Sequence, residues 1–295
     1  MSISVRFLYS VPTGNLLGEG VTWDASQQRV WWTDIEARTL SNFCPSRRAL
    51  TQYSLPYRLC SFGLTDKPGT LIAAFDRGVA LYEVDSGKLS WLYRLQTESA
   101  GLRLNDGRVD AAGRFWCGSM IEQDTRVKSS GSLYRLSGYQ CQEMLSGFEI
   151  FNGLAWSPDN RWIYCADSAR NLIFRHAFNL FDGSMGEGEV FASTPAGIHP
   201  DGSVIDSEGC LWNAQWGGAR VVRYRPDGQI DLIIPMPTSQ CSCVSFGGAK
   251  LDLLFVSSAS TGLDAETLAS QPQAGDLLVF QVQGTRGLAG NCFSP

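Results

Sequence analysis

One six-residue frame recurs six times along the chain, and a repeat of that spacing restricts the architecture more than any single residue does. Glu19-Gly-Val-Thr-Trp-Asp24 is matched by Asn152-Gly-Leu-Ala-Trp-Ser157 and by Asp201-Gly-Ser-Val-Ile-Asp206. Asn105-Asp-Gly-Arg-Val-Asp110 fits the frame with its glycine moved by one place, and weaker copies begin at Ser61 and Ser242. Each copy passes through a turn into a second apolar run: RVWWTD, TLIAAF, RFWCGSM, WIYCADS, CLWNAQW and LLFVSS. A third run often follows, as in GSLYRL, LIFRHAF and VVRYRP. Helical periodicity is nearly absent, whereas β-branched and aromatic runs alternate with Gly, Pro, Asp and Ser turns. A period of roughly 40 to 50 residues carrying about four strands is that of a propeller blade. The fold expected is therefore all-β, a six-bladed β-propeller occupying residues 1–295 as one domain. A ring must also close. The run Ser4–Tyr9 precedes the first copy and Asp276–Val282 ends the last, so the N-terminal strand is expected to pair into the last blade and cover its open edge.

Composition narrows the partners. Apolar residues make up 44% and charged residues 18% of 295, enough for a packed core, and the net charge of −5 leaves no basic face for nucleic acid. No apolar stretch approaches the roughly 20 residues of a membrane helix, and the N-terminal segment has no secretory pattern. The nine cysteines include no CxxC pair and read as reduced thiols, which places the chain in the cytoplasm. Cys241 and Cys243, one residue apart in a strand, are expected on one face as small core residues. Oligomeric state is not legible beyond monomer or small homo-oligomer.

In a propeller the first strand of each blade lines the central channel. The leading residues of the six copies, Glu19, Ser61, Asn105, Asn152, Asp201 and Ser242, should then share one end of it. Two carboxylates converging there repel unless a proton or cation lies between them. Glu, Asn and Asp oxygens suit a hard or borderline divalent ion, with positions left for water and substrate. The alternative is that these polar residues merely bond turn backbone. Arg103 and Glu122 fall near the same end, either as readers of hydroxyl groups together with Asn105 or as a surface ion pair. His199 is a candidate neighbour of the site, and His176 looks structural. No Gly-x-Ser-x-Gly elbow supports a serine triad.

The stretches "LGEGVTWD" with "VWWTDI", "RLNDGRVDAAGRFWCGSM", "SGSLYRL", "FNGLAWSPDNRWIYCADS", "HPDGSVIDSEGCLWNAQWGG" and the closing "SFGG" together resemble the gluconolactonase/regucalcin (senescence marker protein) family of six-bladed propellers. The resemblance runs over nearly the whole chain, and "TGLDAETLASQPQAGDLLVF" with "WGGARVVRYRPDG" looks most like its bacterial aldonolactonase branch. It implies a metal-dependent hydrolase of sugar lactones such as arabinono-, xylono-, galactono- or gluconolactone. Glu19, Asn152 and Asp201 would bind one divalent cation, calcium before magnesium, manganese, zinc or ferrous iron. Arg103, Asn105 and Glu122 would contact the substrate, and Asp201 is the candidate general base. The competing readings are a non-catalytic calcium-binding regulator and a phosphotriesterase or aryl-esterase propeller, the latter disfavoured by so polar a mouth. Substrate choice is expected in loops outside the repeat, such as Thr51–Cys60 and Gln123–Ser130.

Overall fold

Alternate residues of each second strand feed two different hydrophobic clusters, and that division makes the ring. In the strand Leu211–Trp216, Leu211 packs with Tyr164 and Ala166, whereas Trp212 and Ala214 pack with Leu254 and Val256. Thr70–Phe75 divides likewise, with Leu71, Ala73 and Phe75 toward Trp31 and with Ile72 and Ala74 toward Phe115. Both faces of every sheet are thus buried against a neighbouring sheet. This is why the runs read as continuously apolar and not as half-polar strands. The computed structural model, which describes residues 3–95, 101–122 and 130–294, has six four-stranded antiparallel sheets arranged in a ring, with six core clusters wedged between them.

We number the blades 1 to 6, beginning with the sheet of residues 18–54. Their channel-lining strands are Gly18–Asp24, Leu59–Leu64, Leu102–Val109, Phe151–Trp156, His199–Ile205 and Cys241–Gly247. Burial falls from hub to rim: these inner strands are almost wholly buried, while the outermost strands, such as Ala49–Ser54 and Ser184–Ser193, are largely exposed. Ring closure is as expected. Ser4–Val11 pairs antiparallel with Leu277–Gln283, from Ser4 opposite Gln283 to Val11 opposite Leu277, and supplies the outer strand of blade 6.

The turns are tied to the core by buried aspartates. Asp206 accepts from the backbone N–H of Glu208 and Cys210, from the indole of Trp212 (2.9 Å) and from Arg223 Nε (2.8 Å). Asp110 does the same in blade 3 with Arg114 and Trp116. The cluster Asp206, Glu208 and Cys210 has the spacing of a metal site, but Arg223 already occupies it.

Three features were not foreseen or need correction. Cys241 and Cys243 do not share a face. Cys241 pairs with Ser258 and Val244 with Val256, so Ser242 and Cys243 bulge opposite Ser257, and the two thiols enter clusters on opposite sides of the blade. A short helix, Ala265–Ser270, interrupts the last blade and is capped by Asp264. The C-terminal tail crosses the far end of the hub, bonding Arg286 O to Ser207 N in blade 5 and Phe293 N to Leu64 O in blade 2, with Phe293 fully buried. All nine cysteines are free, and among the described residues no helix is long and apolar enough to cross a membrane. Of the loop at 123–130, residues 123–129 lie outside the described residues.

Because Asp206 carries four donors with no access to water, removing its carboxylate strands the Trp212 indole and two backbone N–H groups and takes from Arg223 one of three carboxylate partners, leaving it Glu208 and Asp231. Asp206→Ala is expected to lower unfolding stability by about 3–5 kcal/mol in urea titration, and a loss of less than about 1 kcal/mol would contradict this reading.

Candidate active site

A bulge sits at the same place in the hub strands. In blade 1 Glu19 pairs with Thr33 and Thr22 with Trp31, leaving Gly20 and Val21 against Trp32 alone. In blade 4 Asn152 pairs with Ala166 and Ala155 with Tyr164. Gly20 and Gly153 hold φ of +64° and +69°, the left-handed region an L side chain rarely adopts. In blade 5 the bulged residues are Asp201 and Gly202, where the need for glycine is different: a Cβ would lie 2.8 Å from Cys243 Cα. The glycine of the frame therefore has two physical reasons, strain at two copies and close approach at a third.

Of the six leading residues, two are structural. Ser61 Oγ donates to Asn105 O in the next blade at 2.7 Å, and Ser242 Oγ donates to Gly18 O across the closure of the ring. The other four, Glu19, Asn105, Asn152 and Asp201, are buried polar side chains at the hub. Arg103 Nη1 donates to Asn105 Oδ1 (2.6 Å), Asn105 Nδ2 to Asn152 Oδ1 (2.8 Å), Asn152 Nδ2 to Ser168 Oγ (2.8 Å), and Ser168 Oγ to Pro200 O (2.6 Å). The chain begins at a group that can only donate and ends at one that can only accept, so both amide orientations are fixed. It leaves Asn152 Oδ1 with a lone pair to spare, while Asn152 Nδ2 is tied through Ser168 Oγ to the carbonyl of Pro200, the residue that precedes Asp201.

The two carboxylates are short of partners. Asp201 Oδ1 is buried with no hydrogen-bond partner among the described residues, and Glu19 accepts only from its neighbour Gly20 N (3.2 Å). Burial, then the charge of Asp106, pushes Glu19 up to about 8. Burial, then the charges of Glu19 and Asp106, raises Asp201 well above the ordinary carboxylate range. These oxygens, with that of Asn152, are a hard donor set lacking its counter-charge, and the residues fit a divalent cation.

Asp106 is a hub carboxylate that the repeat frame hid, since it occupies the place held by glycine in the copies that begin at Glu19, Asn152 and Asp201. Its carboxylate accepts from Gly107 N (2.9 Å) and from Leu154 N of blade 4 (3.0 Å). It thereby locks the bulge that carries Asn152. Arg58 was not singled out, although it lies in the segment Thr51–Cys60 expected to bear on substrate choice; of that segment only 55–58 is loop, the rest belonging to the strands Ala49–Ser54 and Leu59–Leu64. Arg58 grips Glu122 through both oxygens (2.5 and 2.9 Å), reaches Asp76 at 3.2 Å, and holds the Glu122 carboxyl below its usual range. Arg103 approaches Glu122 at 3.5 Å, so Glu122 belongs to a network at the mouth and not to a single surface pair. His199 Nδ1 lies 2.8 Å from Ser168 O and so donates there, while His176 is buried against Gly186 O, its pKa lowered by burial, away from the hub.

Residues 17–260 match the family model for the SMP-30/Gluconolactonase/LRE-like region. The chain belongs to this family. The L-arabinolactonase of Azospirillum brasilense is 37% identical over 275 residues, covering 92% of this chain and 90% of that one. The 6-deoxy-6-sulfogluconolactonase of Pseudomonas putida is 34% identical, covering 91% and 92%. Among solved structures, a calcium-binding regucalcin from Agrobacterium tumefaciens superposes with a TM-score of 0.90 at 29% identity, covering 98% of each chain.

In the metal-free protein the raised Glu19 pKa carries a pH signature. A carboxyl that binds its proton more tightly folded than unfolded stabilises the fold at low pH and loses that contribution as pH rises from the ordinary carboxylate range to about 8. Chelator-treated Glu19→Gln should therefore gain stability over the wild type as pH climbs through this window. A difference in urea midpoint that stays flat from acid to mildly alkaline pH would contradict the assignment.

Proposed function

We propose that the chain opens a sugar lactone to its aldonic acid at the hub, with Glu19, Asn152 and Asp201 as ligands of one divalent cation and Arg103, Asn105 and Glu122 facing the sugar. A lactone-hydrolysing activity is that of the named relatives; metal dependence and these residue roles are our reading. The observation that carries it is the pair of buried carboxylates, one with an orphaned oxygen, beside an amide oxygen whose direction is fixed. Calcium is the first candidate for the ion, given the hard oxygen set and the calcium-binding regucalcin among the structural neighbours.

When bound, such an ion polarises the ester carbonyl and makes water a better nucleophile at neutral pH. The remaining work falls to the chain. Asp201, with a buried free oxygen, takes the proton from the attacking water as its oxygen adds to the carbonyl carbon, and passes that proton to the ring oxygen as the ring C–O bond breaks. The products are a new hydroxyl and a carboxylic acid, which ionises at neutral pH and releases the remaining proton of the water. Arg103 has its Nη1 committed to Leu104 O and Asn105, whereas no bond from Nη2 to a described residue is found, which leaves those N–H groups for substrate oxygens. Both N–H groups of Asn105 are spent on Phe151 O and Asn152, so toward a sugar it can act only as an acceptor. Glu122, kept charged by Arg58, adds a second acceptor for hydroxyls. A polar mouth of this kind favours a polyhydroxylated lactone over an aryl ester.

Asp201→Ala is expected to lower lactone hydrolysis, followed by acid release with a pH indicator, by roughly 10²- to 10⁴-fold while far-ultraviolet circular dichroism stays unchanged. Near-normal turnover on pentono- and hexonolactones alike would sink the mechanism. Chelation should remove the activity and added divalent ion restore it; acid release that persists after exhaustive chelation would count against the metal. Arg58→Ala, which frees Glu122, should raise KM more than it lowers kcat, and an unchanged KM would place Glu122 outside the substrate contact.

A further inference from the structure

The far end of the hub contains a cavity lined by none of Glu19, Asn152 and Asp201. Its volume is about 390 Å³, within the range of small-ligand sites, and it is walled by the ends of the inner strands and by the C-terminal tail at Leu288–Asn291. Three residues after the leading position the six copies carry Thr22, Leu64, Arg108, Ala155, Val204 and Ser245. All six line the cavity, and Arg108 is the one charged residue among all its lining residues.

Arg108 crosses the hub. From blade 3 its Nη2 donates to Val244 O of blade 6 (3.0 Å) and touches Cys243 Sγ (3.6 Å), on the opposite side of the ring. Its Nε is buried without a partner, and no Asp or Glu lies within ion-pair distance among the described residues. Glu19 lies near enough to feel its charge but makes no hydrogen bond to it. A guanidinium with five donors, so few acceptors and no carboxylate beside it is a poorly compensated charge. The indole N–H groups of Trp23 and Trp156, two further lining residues, also have no partner. The rest of the wall is mixed, with Phe62, Phe246 and Leu288 as apolar surface beside hydroxyl and amide side chains such as Ser203, Ser245 and Asn160.

We propose that this cavity binds a small organic carboxylate, its anionic head on Arg108 and an apolar body against the aromatic wall. The site is independent of the lactone mouth and does not require the lactonase reading. Arg108 would supply the charge-assisted bonds that Arg characteristically makes to carboxylates, and the tail, anchored by Phe293, would form one side of the entrance.

Benzoate is a suitable probe, read by tryptophan fluorescence and by isothermal titration on the full chain with divalent ion present. Saturable binding with a dissociation constant of about 1 mM or tighter is expected, and benzyl alcohol, which lacks the charge, should bind at least about tenfold more weakly. Arg108→Met should reduce benzoate affinity by about tenfold or more. Leu288→Glu is a second test that spares the core, since Leu288 is 40% exposed; its carboxylate in the cavity wall should weaken benzoate by repulsion or by taking Arg108 itself. Absence of saturable binding, equal affinity for benzyl alcohol, unchanged affinity in Leu288→Glu or in folded Arg108→Met, or displacement of benzoate by a sugar lactone would each overturn the proposal.

Discussion

Glu19 and Asp201 are carboxylates buried at the hub, and most of what is distinctive there follows from that burial, with neighbouring negative charge adding to it. Burial raises the proton affinity of both, with the charge of Asp106 adding to each. Such an arrangement is costly unless protons or a cation compensate it. The ring makes the cost unavoidable, because the inner strands are held by hydrophobic clusters on both faces and cannot splay to relieve it. On the proposed reading, stability given up at the hub would be the physical counterpart of affinity for a divalent cation.

Around these carboxylates the polar groups are arranged so that few choices remain. The donor-only Arg103 and the acceptor-only Pro200 carbonyl bracket two amides and a hydroxyl, and every bond between them runs one way. Asp106 secures the same strand from below through Leu154 N. The result is a rigid presentation of Asn152 Oδ1 on a bulged backbone whose left-handed turn Gly153 adopts without strain. Sites built this way hold their geometry before substrate arrives, which is where much catalytic advantage lies.

The ring, its strand order and its closure were legible in the sequence because they rest on a period that each blade repeats. That Glu19, Asn152 and Asp201 lead hub strands was legible for the same reason: they stand at equivalent places in the frame. What the frame could not reveal is what breaks it. Asp106 replaces the glycine of the copies that begin at Glu19, Asn152 and Asp201, and its shifted register was readable only as an imperfection. Arg58 lies in a loop with no counterpart, and the tail across the far mouth follows the last repeat. Cys243 left its expected face because the bulge, invisible to a period-two pattern, inserts a residue there. Ser61 and Ser242 matched the frame in chemistry but serve to join blades. Identical positions in a repeat guarantee similar placement, and the partner within reach decides the role.

The question on which the rest turns is whether the hub gathers one divalent cation by displacing protons. Calcium titration of chelator-treated protein near pH 7, in two buffers of different ionisation enthalpy, measures stoichiometry and proton release together. A single site per chain with net proton release, abolished in Asp201→Ala, is the predicted result. Binding without proton release, or heat unchanged by that substitution, would show that these carboxylates do not hold the ion.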